Sequence, residues 1–267
     1  MLTFALRFDK TSRMEETIVI TGASSGIGKA CAQLLAAPGK RFILTARRYE
    51  RLEALAAELT KAGAKVWIQS LDVRSREACQ QWANQIPEAF RGIRVLLNNA
   101  GLAAGLSSIQ DGDVSDWDQM IDTNVKGLLY VTEAILPFLK QSPGAHIVNV
   151  GSIAGREVYA NGNVYCASKH AVDALTRSMR IDLLPLGIKV SSVSPGMVET
   201  EFSLVRFKGD SDRAASVYIG IDPLKPEDVA EAVKYIVNAP SHVTVADIVL
   251  FPAAQASSRD VLRQPVA

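Results

Sequence analysis

Seven short apolar runs rich in β-branched residues alternate with longer stretches of helical period. This rhythm constrains the fold more than any other feature of the chain. The runs are Thr17–Thr21, Arg41–Thr45, Lys65–Ser70, Arg94–Asn98, His146–Val150, Ile188–Val193 and Asp247–Leu250. Their near-continuous apolar character is that of strands buried on both faces, as in a parallel sheet. Between them, Glu50–Ala62 sets Leu52, Leu55, Ala56 and Leu59 on one face with charges opposite. Pro226–Asn238 opens on Pro, Glu and Asp, which suit a helix start, and stops before Pro240. Right-handed βαβ units repeated in this way predict an α/β fold: one doubly wound sheet of about seven parallel strands with helices on both faces.

No repeat, low-complexity tract or linker interrupts the pattern, so a single dinucleotide-binding domain is expected over residues 17–267. Residues 196–223 are long and mixed in character, and they follow the sixth strand. A long excursion there reads as a substrate loop. Residues 1–16 read as an N-terminal arm. The first 13 carry three cations and one acid, faintly like a targeting segment, but their apolar part is too short and interrupted for a secretory signal.

The charge balance of 29 basic to 28 acidic residues argues against nucleic acid and anionic membranes as partners. No apolar block approaches the roughly 20 residues of a spanning helix. Cys31, Cys79 and Cys166 are scattered and show no metal-ligand spacing, so no metal is expected and the thiols read as reduced, in a cytoplasmic protein.

The first strand runs into Gly22-Ala23-Ser24-Ser25-Gly26-Ile27-Gly28 and then a helix. Glycines allow a sharp turn and close backbone approach to a pyrophosphate, and the helix N-terminus supplies free N–H groups. The second strand ends at Arg47-Arg48, where an NAD site usually carries an acid for the ribose 2′-hydroxyl. Two guanidiniums instead offer forked donors to a 2′-phosphate, which points to NADP. Alternatively, they merely begin the charged helix RRYERLEAL. Asp72 and Val73 close the third strand, with the carboxylate placed to accept from an adenine amino group. Asn99, Ala100 and Gly101 close the fourth, and their small size lets the backbone lie against a cofactor. Taken singly, each could be an ordinary strand terminus.

Ser152 follows the fifth strand, and Tyr165 and Lys169 stand at i and i+4 on one helix face. A neighbouring ammonium is expected to draw the phenol down from its ordinary pKa near ~10 toward neutrality, making it an acid/base for an alcohol or carbonyl oxygen. Ser152 could bond the same oxygen. An isolated YxxxK is also a common surface pair. His146, His170 and His242 suit neither a metal site nor this chemistry.

Together, TGASSGIG, NNAG, Asn124, Ser152, Tyr165-x-x-x-Lys169 and Pro195-Gly196 resemble, in order and spacing, the classical short-chain dehydrogenase/reductase family from about residue 17 to 252. The resemblance implies a Rossmann-like fold and a tetrad of Asn124, Ser152, Tyr165 and Lys169. In it, Asn124 anchors a water near the lysine, and Lys169 also binds the nicotinamide ribose. It further implies cofactor contacts from Pro195, Gly196, Val198 and Thr200, and assembly as a homotetramer through helices near Asp116–Lys140 and Tyr159–Leu184.

More narrowly, YANGNVY (159–165), ETEFSLVRFKGD (199–210) and FPAAQAS (251–257) resemble NADP-dependent 3-hydroxy acid dehydrogenases that also oxidise serine and allo-threonine. A small 3-hydroxy acid needs a cation for its carboxylate. Arg206, inside the resembling stretch, ranks before Arg156. Both could instead pair with acids such as Glu157 or Glu201. A broad carbonyl or 3-oxoacyl reductase is the alternative enzyme, and a catalytically silent dinucleotide sensor the alternative class.

Overall fold

The computed structural model describes residues 16–264, so the arm expected over residues 1–16 lies outside the described residues except for Glu16. β1 (Thr17–Thr21), β2 (Arg41–Ala46), β3 (Lys65–Ser70), β4 (Ile93–Asn98), β5 (His146–Val150), β6 (Lys189–Pro195) and β7 (Asp247–Leu250) form one sheet in the order β3-β2-β1-β4-β5-β6-β7. Every pairing is parallel. Each predicted run is a strand, with ends shifted by two residues at most. β6 runs on through Pro195, which lies past the last β5 pairing at Val193, so its missing N–H removes no bond of that ladder.

The period-2 alternation divides the strand residues between two cores. On one face Ile18, Ile20, Leu44 and Leu97 pack with Cys31 of α1 (Gly26–Leu35), Leu52 and Leu55 of α2 (Tyr49–Lys61), and more distant Val233. On the other, Val19, Ile43 and Leu96 meet Trp82 of α3 (Arg76–Asn84). After α4 (Val114–Ile121), the helix widens to a π-turn over Asp122–Gly127 before α5 (Leu128–Leu139), which brings Ile135 to that second core. α6 (Asn163–Asp182) follows β5. The 196–223 excursion contains α7 (Phe202–Arg206) and α8 (Ser211–Ser216), and α9 (Pro226–Val237) returns Val233 to the first core. In α9 the Asp228 carboxylate accepts from the Lys225 amide at 2.7 Å, which anchors the helix start. The three cysteines are free and buried. Among the described residues no helix is long and apolar enough to cross a membrane.

His146 is 2 % exposed in β5, and its Nε2 lies 2.7 Å from the Ser191 hydroxyl, which itself donates to the Val245 carbonyl. The imidazole must therefore be the donor, leaving Nδ1 as a buried base without a partner. Burial, then the charges of Lys189 and Arg94, push its pKa down to about 3. The unfolded chain, with a pKa near ~6.5, takes up this proton first. The contribution is thus full above the unfolded value and is lost as pH falls toward the folded one. Urea unfolding should show a stability loss approaching ~1.4 kcal/mol per pH unit from this group below about pH 6. His146→Gln should flatten that acid slope; an unchanged slope would assign the loss to other groups.

Candidate active site

β1 is the switch point of the sheet: the chain winds outward through β2 on one side and through β4 on the other. A crevice opens there at the strand carboxyl ends. The Asn99 amide donates to the Thr21 and Gly22 carbonyls at 2.9 and 3.1 Å, and the Thr21 hydroxyl accepts from the Asn99 and Ala100 amides at 3.0 Å. Two glycines make this fit possible. Gly22 holds φ +65, and a Cβ on Gly28 would lie 2.4 Å from the Asn99 amide nitrogen and 2.6 Å from the Gly22 carbonyl. α1 begins at Gly26 with no side-chain cap from Ser25, so its first N–H groups stay available.

Of the expected cofactor residues, Gly22, Ser24, Ser25, Gly26, Ile27, Arg47, Arg48, Asp72, Val73, Asn99, Ala100, Gly101, Tyr165, Lys169, Pro195, Gly196, Val198 and Thr200 line one cleft, with Ser152. Gly28 sits behind the turn and acts through packing. The Arg48 guanidinium donates to the Ser25 hydroxyl at 2.7 Å and reaches Ser24 at 3.3 Å. The two residues that follow β2, Arg47 and Arg48, bring no carboxylate of their own, and the acid that meets Arg48, Glu201, comes from the loop after β6. These features fit a dinucleotide with a 2′-phosphate: free helix N–H groups, backbone lying flush, and a guanidinium beside the serines of the turn. Asp72 is engaged by Arg74, which donates to both carboxylate oxygens and holds its carboxyl below the usual range.

At the other end, Tyr165 and Lys169 occupy the first turns of α6, both buried. The lysine Nζ donates to the Val150 carbonyl at 3.0 Å. The expected lowering of the phenol by the ammonium is not what the structure has. Burial dominates both groups, raising Tyr165 above its ordinary range and lowering Lys169 to about 8. The Tyr159 phenol adds to the rise, while the Ser152 hydroxyl and the Arg206 charge oppose it. Burial thus favours the protonated phenol and the neutral amine. Asn124 does not line the cleft. The π-turn aims it behind the lysine, where it donates to the Leu102 carbonyl (2.8 Å) and the Ser168 hydroxyl (3.0 Å) and accepts from the Leu102 amide (2.8 Å).

Arg206 borders a small second cavity that shares Tyr165 with the cleft. Its guanidinium lies 5.6 Å from the Tyr159 ring centre and 5.7 Å from that of Tyr165, and its Nε donates to the Gly105 carbonyl at 3.2 Å. One terminal nitrogen, Nη2, is buried without a partner. Arg156 lies elsewhere, 3.6 Å from Asp247 and 4.0 Å from Asp173. Sequence reasoning missed Tyr159 and Phe202, whose ring meets Tyr165 edge-on at 5.6 Å. Aromatic residues flanking the tyrosine motif and opening the loop were the available signal. None of the three histidines lines the cleft, and no metal-binding cluster occurs among the described residues.

The short chain dehydrogenase family model matches residues 16–210. Sulfoacetaldehyde reductase 2 of Chromohalobacter salexigens is 46% identical, over 92% of this chain and 97% of its own. The NADP-dependent 3-hydroxy acid dehydrogenase of Schizosaccharomyces pombe is 42% identical, over 95% of this chain and 99% of its own. The closed form of serine dehydrogenase complexed with NADP+ superposes with a TM-score of 0.84 at 39% identity, covering 93% of this chain and all of that one (100%).

Proposed function

Because this chain belongs to the short-chain dehydrogenase family, we propose that it moves a hydride between NADP(H) and the β-carbon of small 3-hydroxy acids of the serine, allo-threonine and 3-hydroxyisobutyrate type, or their 3-oxo partners. The observation that carries the substrate class is Arg206: a guanidinium beside the Tyr165 ring that meets no carboxylate among the described residues, has the Gly105 carbonyl and the Tyr159 phenol as its polar neighbours, and keeps a buried Nη2 without a partner. A substrate carboxylate supplies the missing acceptor while its β-oxygen faces Tyr165. A second reading has support of its own, because a relative named for sulfoacetaldehyde stands at 46% identity. In sulfoacetaldehyde one carbon separates the anionic group from the carbonyl, as in a 3-oxo acid, so Arg206 serves both.

In this reading Ser24, Ser25, the first N–H groups of α1 and the backbone at Asn99–Gly101 bind NADP, with Arg47 and Arg48 on its 2′-phosphate. The bound nicotinamide supplies or accepts the hydride. Tyr165 gives its phenolic proton to the carbonyl oxygen in reduction and takes one from the alcohol in oxidation. Ser152 holds that oxygen, Lys169 holds the nicotinamide ribose and stabilises the phenolate, and Asn124 fixes the backbone behind the lysine for a water leading to solvent. The same reading has the chain assembling as a homotetramer in the cytoplasm. The exposed apolar side chains Leu129, Ile181 and Leu184, on and just after the helices named above, support the assembly.

Tyr165→Phe removes the proton with little volume. Turnover should fall by about 10²–10⁴-fold while NADP+ affinity is kept, and near-normal turnover would remove the mechanism. Neutral residues at both Arg47 and Arg48 should cut the preference for NADP+ over NAD+ by more than about tenfold, since charge-assisted bonds are lost only from the 2′-phosphate. Equal weakening of the two cofactors would give these arginines to the fold. Arg206→Met should lower kcat/KM for serine, 3-hydroxyisobutyrate and sulfoacetaldehyde by about tenfold or more. Oxidation of an uncharged alcohol of similar size should barely change. A loss on both kinds of substrate means loop damage, and a wild-type preference for the uncharged alcohol would replace the acid reading with a general carbonyl reductase.

A further inference from the structure

One carboxylate ties the substrate loop to the opposite end of the cleft. Glu201 follows Thr200, which lies against Gly26 of the glycine-rich turn, and precedes Phe202, which contacts the Tyr165 ring. Its two oxygens accept from different arginines: Arg48 Nη1 at 2.7 Å and Arg51 Nη1 at 2.6 Å. Both cations belong to the β2–α2 segment, some 150 residues earlier (sequence separations 153 and 150). They hold the Glu201 carboxyl below its usual range. Arg48 lines the cleft beside Ser24 and Ser25, whereas Arg51 does not line it.

The placement has two consequences of opposite sign. The pairing fastens the start of the loop that carries Phe202 and Arg206, so it favours the closed arrangement around Tyr165. It also engages a terminal nitrogen of Arg48 and sets a negative charge where a dianionic phosphate would come. A 2′-phosphate must therefore share Arg48 with Glu201 and meet its repulsion, a cost that NAD+, with a 2′-hydroxyl, does not incur. We propose that Glu201 is a positioning residue: a latch that closes the substrate loop onto the arginines of the cofactor's adenosine end, at the expense of part of the affinity for the 2′-phosphate. The proposal rests on Arg48 meeting the 2′-phosphate, as argued above.

The test uses the full-length enzyme with Glu201→Gln, Arg51→Met and the double variant. Dissociation constants for NADP+ and NAD+ come from fluorescence titration at low salt. Loop closure is read from trypsin cleavage at Lys208 and Arg213 with NADP+ saturating. Exposed ion pairs are individually weak, so effects of a few fold are expected. Glu201→Gln should tighten NADP+ by about two- to fivefold, leave NAD+ unchanged, and speed cleavage by about three- to tenfold. Arg51→Met should speed cleavage by less, since the Arg48 pairing remains, and the double variant no more than Glu201→Gln alone, because Arg51 acts through Glu201. Salt of about 0.5 M should erase the difference between wild type and Glu201→Gln. A cofactor response shared by NADP+ and NAD+, an unmoved cleavage rate, or additive effects in the double variant would each overturn the latch. If neutralising Arg47 and Arg48 leaves cofactor preference intact, the reading of the cleft fails and the latch with it. If that preference is lost while Glu201→Gln leaves NADP+ binding as in wild type, only the latch fails.

Discussion

At the switch point, the Asn99 amide closes on the Thr21 and Gly22 carbonyls while the Thr21 hydroxyl receives the amides of Asn99 and Ala100. These bonds join the ends of β1 and β4, adjacent strands from which the winding departs in opposite directions. Backbone groups that the sheet no longer pairs are satisfied there by two side chains, so the turn keeps one shape without a ligand to hold it. The start of α1, the small residues of the fourth strand end and the position of Gly28 all follow from this stitch. A cleft built on strand ends is also rigid at its floor, which leaves adaptation to the loop above it.

The far end of the cleft is governed by desolvation. Tyr165 and Lys169 share a helix face, and both are buried with their charged forms disfavoured. The Ser152 hydroxyl and the Arg206 guanidinium already oppose the rise at Tyr165. The same burial that favours the protonated phenol strengthens the hydrogen bonds made around it.

Strands and glycines were legible in the sequence because their signals are local: a run of apolar β-branched residues, or a turn that only glycine fits. Even so, the sequence did not separate Gly22, which lines the cleft, from Gly28, which packs against Asn99 and the Gly22 carbonyl behind it. The YxxxK spacing gave the face shared by Tyr165 and Lys169, but not the balance of burial and charge on it, since burial is a property of the whole fold. The π-turn at Asp122–Gly127 was invisible. One extra residue in a helical turn shifts the phase by only one step of about 100°, too brief a slip to read in a six-residue stretch, yet Asn124 is buried within it. Pairings distant in sequence were the hardest to read. Glu201 was a plausible neighbour for Arg206, five residues away, but the fold carries it to Arg48 and Arg51.

Arg156 and Arg206 show how the structure separates two arginines that the sequence leaves alike. Arg156 stands near Asp247 and Asp173, carboxylates that also meet Arg180 and Arg177, so it shares acidic partners within a network away from the cleft. Arg206 has no carboxylate in reach among the described residues. Its support is the Gly105 carbonyl and the faces of two tyrosine rings. A cation over an aromatic face gains about 0.5–2 kcal/mol, and this guanidinium is part-buried, so what it lacks is an acceptor at one nitrogen. The rings therefore orient the guanidinium without compensating it, and the deficit falls on one buried nitrogen beside Tyr165. If packing alone were required there, a methionine would fill the space without that deficit. In the proposed reading a small anion supplies that acceptor, with its reacting oxygen set against the tyrosine.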